Sequence, residues 1–161
     1  MADDHRRLDA LLVQTRSEIV SGTFTVFDEF RRGLLRHISM EEKVQMPAAA
    51  RLRGGSALPI AERLRLDHGA IAALLVPPPS RLTITALFAI LDKHNLIEEG
   101  PGGFYEICEN LSATDAQTLI DGIHAVRQVP LSPNINNPNV LDATRRALAR
   151  AGYDLDEIGK E

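Results

Sequence analysis

Apolar residues recur at steps of three and four over roughly the first 110 positions, and runs that alternate apolar with polar are nearly absent. This is the period of a helix packed on one face, so the spacing predicts an all-α chain. A first helix is expected over residues 5–20, striped by His5, Leu8, Leu12, Thr15 and Ile19 and broken at Ser21 and Gly22. The second carries Phe27, Phe30, Leu34, His37, Glu41 and Val44, with Pro47 and the Gly54 and Gly55 pair marking the loop after it. The third starts near Pro59, runs through Ile60, Leu64, His68, Ile71 and Leu75, and must end at Pro77, Pro78 and Pro79. The fourth is striped by Ile84, Leu87, Leu91, His94 and Glu98 and stops at the run Gly100, Pro101, Gly102 and Gly103.

Four such helices with short connections predict an up-and-down antiparallel four-helix bundle over residues 1–111. The remainder, 112–161, reads as an extension packed on the bundle, with one or two further helices. Thr114 and Gln117 form a capping box that opens one over 114–128, and residues 140–151, stopped by Gly152, suggest another. Between them, residues 130–138 are rich in Pro and Asn and should be extended or turn-forming.

The polar residues on the apolar stripes change the picture. His37, Glu41, His68, His94 and Glu98 interrupt faces that should point inward, and His5 begins the first of them. Burying polar groups without partners costs roughly 2–7 kcal/mol each, so these six require a common partner if they are inside, and a cation is the natural one. In His37/Glu41 and in His94/Glu98 the residues are four apart, which stacks both side chains on one helix face. Height along the bundle agrees: His5 lies about 17 residues before the Gly22 turn and His37 about 15 after it, a match within roughly one turn. The competing reading places these residues on the polar edges of amphipathic helices, or as core histidines satisfied by ordinary hydrogen bonds.

Composition narrows the function. A net charge of −4 without a basic cluster argues against a nucleic-acid partner. No stretch approaches the roughly 20 apolar residues of a membrane-spanning helix. A single cysteine, Cys108, and a polar N-terminus with Asp3, Asp4, Arg6 and Arg7 predict a cytoplasmic protein.

A histidine on helix one, H-x-x-x-E on helix two, a histidine on helix three and H-x-x-x-E on helix four resemble the hemerythrin-like (HHE) cation-binding family. The likeness spans residues 5–105 and includes R-L-D-A-L-L after His5, the Glu41 and Glu42 pair, D-H-G-A-I-A-A-L-L around His68, and H-N-L-I-E-E from position 94. The resemblance implies a non-haem di-iron centre, two iron ions with an oxo or hydroxo bridge. Glu41 and Glu98 would bridge them, and His5, His37, His68 and His94 would be terminal ligands. Imidazole with carboxylate suits iron, manganese or zinc alike, so the choice of iron comes from the resemblance. The ferritin-type alternative is disfavoured because its Glu-x-x-His spacing does not occur.

Oxygen-carrying hemerythrins have a second histidine one turn from the helix-three ligand and an Asp as one bridge. Here the positions four either side of His68 are Leu64 and Ala72. Four histidines leave coordination positions open, which suits reaction with oxygen, peroxide or nitric oxide better than simple oxygen carriage. The family includes oxygen binders, sensors and proteins of stress response or iron handling, so it does not decide whether this chain is an enzyme. An iron or redox sensor whose metal site controls a partner-binding surface without turnover is the alternative, and a metal-free interaction module is a third.

Residues outside the six carry expectations of their own. His124 is expected at the surface rather than on a metal. Tyr105, about two turns beyond Glu98, is expected to pack, with a phenolate or a hydrogen bond to the site as the other reading. Glu42 and Glu99 point about 100° from the bridges and should be solvated. Asp67 is either an acceptor for an imidazole N–H or a surface acid. Cys108 should be a small buried residue, and Phe27 and Phe30 core packing. The Gly/Pro run after Glu99 either opens a route to the site or is a turn of no functional consequence.

Overall fold

In the computed structural model, which describes residues 1–112 and 115–160, every regular element is helical. Helix α1 spans Ala2–Ser21 and α2 spans Thr25–Met40, followed by a π-helical turn at Glu41–Gln45 and by α3, Met46–Leu52. Then come α4 (Pro59–Leu74), α5 (Arg81–Glu99), α6 (Phe104–Ser112), α7 (Ala116–Ala125), α8 (Pro138–Arg150) and α9 (Leu155–Ile158). Helix α1 packs on α2 and α5, and α4 packs on α5. No described helix is long and apolar enough to cross a membrane.

Local chemistry explains where the long helices begin and end. Gly22 closes α1 in the left-handed conformation, at φ 73°, with its N–H donating to the Glu18 carbonyl. Thr25 starts α2 without a capping side chain of its own, and the Glu18 carboxylate does that work. It accepts from the amides of Val26 and Phe27, both at 2.9 Å. Pro59 occupies the first turn of α4, where a missing N–H costs nothing. Ser80 and Thr83 form a reciprocal capping box at the start of α5.

The expectation that Pro47 ends the second helix is corrected. The chain widens by one residue at the π-helical turn, the Met46 amide donates to the Glu41 carbonyl, and Pro47 then falls in the first turn of α3, where proline is tolerated. The widening also shifts the inward stripe. Val44 is only partly buried, while Gln45, Met46 and Ala49 turn inward.

Two apolar clusters flank the polar stripe residues. The larger joins α1, α2, α4 and α5 through Leu12, Phe27, Phe30, Ile71, Leu74 and Leu87, all fully buried, as packing side chains should be. The smaller lies on the other side, where Met46, Ala49, Leu64, Phe104 and Cys108 join α3, α4 and α6. Helix α6 was not foreseen, and it exists because the Gly100 to Gly103 run reverses the chain tightly. A Cβ on Gly103 would lie 2.7 Å from the backbone oxygens of both Glu98 and Gly100, and Gly102 has φ 71°.

The C-terminal residues pack along the long helices. Helix α8 lies against α4 and α9 against α5, and Leu148, Ala151, Tyr153 and Leu155 join the larger cluster. Residues 126–137 have no regular structure. Their path is fixed by Asn134, whose amide donates to the carbonyls of Leu75, Val76 and Pro77, and by Arg31, which donates to the Ser132 carbonyl at 3.0 Å. The capping box expected at Thr114 lies outside the described residues.

Candidate metal centre

The six polar stripe residues meet in one buried layer between the two apolar clusters. Glu41 and Glu98 are fully buried, and His5, His37, His68 and His94 are at most 5% exposed. They form two groups, His5, His37, Glu41, Glu98 and Glu41, His68, His94, Glu98, in each of which one potential ligand atom per residue lies within 4.8 Å of the others. The expected alternative of polar helix edges is thereby excluded for all six.

Each glutamate divides its two oxygens between the groups. Glu41 Oε1 is 3.1 Å from His37 Nε2, and its Oε2 is 3.1 Å from His68 Nε2. Glu98 Oε2 is 3.3 Å from His5 Nε2, and its Oε1 is 3.1 Å from His94 Nε2. The i, i+4 spacing on α2 and α5 produces half of this pattern, and the approach of α1 and α4 supplies the rest.

The outer nitrogen of each imidazole faces a carboxylate. His37 Nδ1 is 2.9 Å from Asp4, His68 Nδ1 is 2.9 Å from Glu42, and His5 Nδ1 pairs with Glu99. His94 Nδ1 is 3.6 Å from Asp67 Oδ2, beyond hydrogen-bond length but within an ion-pair contact. Such partners fix the tautomer and leave the Nε2 lone pair for the centre of the site. Asp67 is held in turn: it accepts from Arg63 at 2.7 Å, and Arg63 also donates to the Tyr153 hydroxyl and the Ala151 carbonyl, both at 2.8 Å. The last turns of the chain thus reach the His68/His94 group through a guanidinium.

Several expectations change here. Glu42 and Glu99 are partly exposed yet pair with His68 and His5 instead of facing only solvent. Asp67 is fully buried, so it is no surface acid, and its imidazole is that of His94 rather than the adjacent His68. Asp4 was missed as a partner, because nothing in a near-terminal acid signals which histidine of another helix it meets. Tyr105 does more than pack: its hydroxyl lies 2.6 Å from Glu41 Oε1 and 3.0 Å from Glu98 Oε2. The Gly/Pro run turns the chain so that α6 carries Tyr105 there. His124 is exposed and outside both groups, and Cys108 is buried.

The charges in the layer act strongly on one another. Burial alone would lower His37, but Asp4 and Glu41 override it and raise its pKa to about 9. His94 is raised to about 10, burial being outweighed by Asp67 and Glu98. Burial would raise Glu41, yet His37 and His68 hold it well below the usual carboxylate range. Asp4 stands at about 2, since His37 and Arg7 outweigh its burial. Burial and then the charges of Glu41 and Glu98 push the Tyr105 phenol far up.

The donor set suits a metal ion. Glu41 Oε2, Glu98 Oε1 and His68 Nε2 are buried without a hydrogen-bond partner, although such groups are nearly always satisfied. His5 Nε2 and His37 Nε2 face each other at 2.7 Å, so a proton or another cation must separate their lone pairs. Imidazole nitrogen with carboxylate oxygen is a borderline set that takes iron, manganese or zinc.

No protein-family model matches this chain, no curated protein matches its sequence, and no solved structure matches it. The reading of the site therefore rests on its residues and their geometry.

Proposed function

We propose that this chain is a hemerythrin-like protein whose two histidine groups hold two iron ions bridged by Glu41 and Glu98. The observation that carries the reading is the division of each glutamate between the groups, with one oxygen toward the histidines of α1 and α2 and the other toward those of α4 and α5. A carboxylate serving a single ion has no need to present both oxygens to separate histidines. The four long helices α1, α2, α4 and α5 each contribute one histidine, which favours the up-and-down four-helix bundle as the underlying plan.

A bound pair of irons would supply redox chemistry and open positions for oxygen, peroxide or nitric oxide. The chain's own part is to orient the imidazoles through Asp4, Glu42, Asp67 and Glu99 and to keep bulk water out with the two apolar clusters. The setting is a cytoplasmic role in stress response, sensing or iron handling. Exposure of the reduced, iron-loaded protein to each of the three ligands in a rapid-mixing spectrometer should give a spectral change with at least one. Inert behaviour toward all three would remove the proposal.

One observation favours the second reading, an iron or redox sensor. The path from His94 through Asp67 and Arg63 to Ala151 and Tyr153 ties the ligand layer to the C-terminal segment. Under that reading, oxidation changes protease sensitivity after residue 150 or partner binding, without turnover.

A further inference from the structure

The sequence offers four histidines for two ions, and α6 brings one more oxygen donor to only one of the groups. The Tyr105 hydroxyl lies 3.1 Å from His5 Nε2, 3.3 Å from His37 Nε2, 2.6 Å from Glu41 Oε1 and 3.0 Å from Glu98 Oε2. A phenol has one proton to donate, and two buried carboxylate oxygens here compete for it, while the two ring nitrogens accept or donate according to their protonation. As an ordinary hydrogen-bonding tyrosine it serves only one of the two carboxylates.

The same distances form a coordination shell. Around the base, His5 Nε2 is 2.7 Å from His37 Nε2, His37 Nε2 is 3.1 Å from Glu41 Oε1, and His5 Nε2 is 3.3 Å from Glu98 Oε2. The hydroxyl stands over all four at a similar distance. Ligands bound at about 2.1 Å and at right angles lie about 3.0 Å apart, and these seven distances are those of neighbouring ligands around one ion. Among the described residues no such donor faces His68 and His94, whose neighbouring Glu41 Oε2 and Glu98 Oε1 have no hydrogen-bond partner.

We propose that Tyr105, as a phenolate, is the fifth protein ligand of the ion held by His5, His37, Glu41 and Glu98. The inference rests on the di-iron reading and adds to it an asymmetry: one ion is capped by the protein, and the other keeps the open positions. On coordination the phenol O–H bond breaks, oxygen keeps the electron pair and forms the bond to the ion, and the proton leaves to water. A surface cavity of about 570 Å³ bordered by Tyr105, Glu99 and Gln45 gives that proton its exit. The iron keeps its oxidation state in this step. The turn that delivers Tyr105 is built for close approach, since glycines occupy the two positions where a Cβ would meet backbone oxygen, 100 and 103.

The test is the visible absorption and resonance Raman spectrum of the full chain loaded with ferric iron, read beside its iron content. A ferric phenolate gives a visible charge-transfer band and tyrosine ring modes in resonance with it. The expected result is both signatures in the wild type and in Tyr153→Phe, and their loss in Tyr105→Phe with iron still bound. The chain has two tyrosines, so persistence in Tyr153→Phe assigns the signal to Tyr105 even if Tyr105→Phe fails to fold. Iron-loaded wild type without these signatures, or their survival in Tyr105→Phe, overturns the ligand assignment and leaves the di-iron reading standing. Wild type that takes up no iron overturns both.

Discussion

The two histidine groups share their glutamates, each has a partly exposed outer carboxylate, Glu99 for one and Glu42 for the other, and they differ in what else surrounds them. The His5/His37 group sits beside a surface cavity, beneath the Tyr105 hydroxyl, and its outer partners Asp4 and Glu99 are partly exposed. The His68/His94 group has no tyrosine over it, and Asp67, the partner of His94, is fully buried and braced by Arg63 and the C-terminal segment. The difference teaches that two sites with equal ligand sets on their inner face can be prepared for different tasks by what stands behind them. One is capped and close to water; the other is rigidly backed and left with unpartnered donors.

Removing what the groups share should have the largest effect. Glu98→Ala takes a ligand from both, and metal content by mass spectrometry should fall from about two ions per chain to below one. Glu42→Ala, which touches only the outer nitrogen of His68, should keep both ions. Equal losses in the two variants would show that the shared carboxylates have no special place.

A smaller effect should separate the groups. Asp67→Ala removes the buried brace of His94 and should weaken binding of one ion by about 10–100-fold while the other ion is held as before, as read by competition with a chelator. Uniform weakening of both ions would contradict the separation.

The smallest effect concerns protons. In the metal-free chain His37 and His94, with pKa values raised to about 9 and about 10, carry protons at neutral pH, and coordination requires their Nε2 lone pairs. Metal binding at pH 7 should therefore release protons, and the imidazoles' share should fade as the pH rises past about 10, where they are already neutral, leaving the proton of the Tyr105 phenol, which is held far above its ordinary range. Calorimetry in buffers of different ionisation enthalpy measures this, and no release at pH 7 would refute it.

Much of this was legible in the chain because helical period and i, i+4 spacing are local properties. The stripes of α1, α2, α4 and α5, and the inward positions of His5, His37, Glu41, His68, His94 and Glu98, follow from them. The path through Pro47 was not legible, since a π-helical turn depends on tertiary packing that a proline signal contradicts. Helix α6 was hidden behind four residues that read as a stop, and its nine residues are too few for a clear period. The outer carboxylates were obscured for a different reason. Glu42 and Glu99 do point away from the bridges on their own helices, and it is a histidine of a neighbouring helix that each one meets.

The central claim is that two ions share Glu41 and Glu98, and metal content after reconstitution with ferrous iron, with the near-ultraviolet spectrum before and after reduction, tests it most directly. The account predicts about two irons per wild-type chain, absorption that bleaches on reduction, and about one iron in His37→Ala, whose second group keeps all four of its residues. One iron in the wild type, or none, would contradict it.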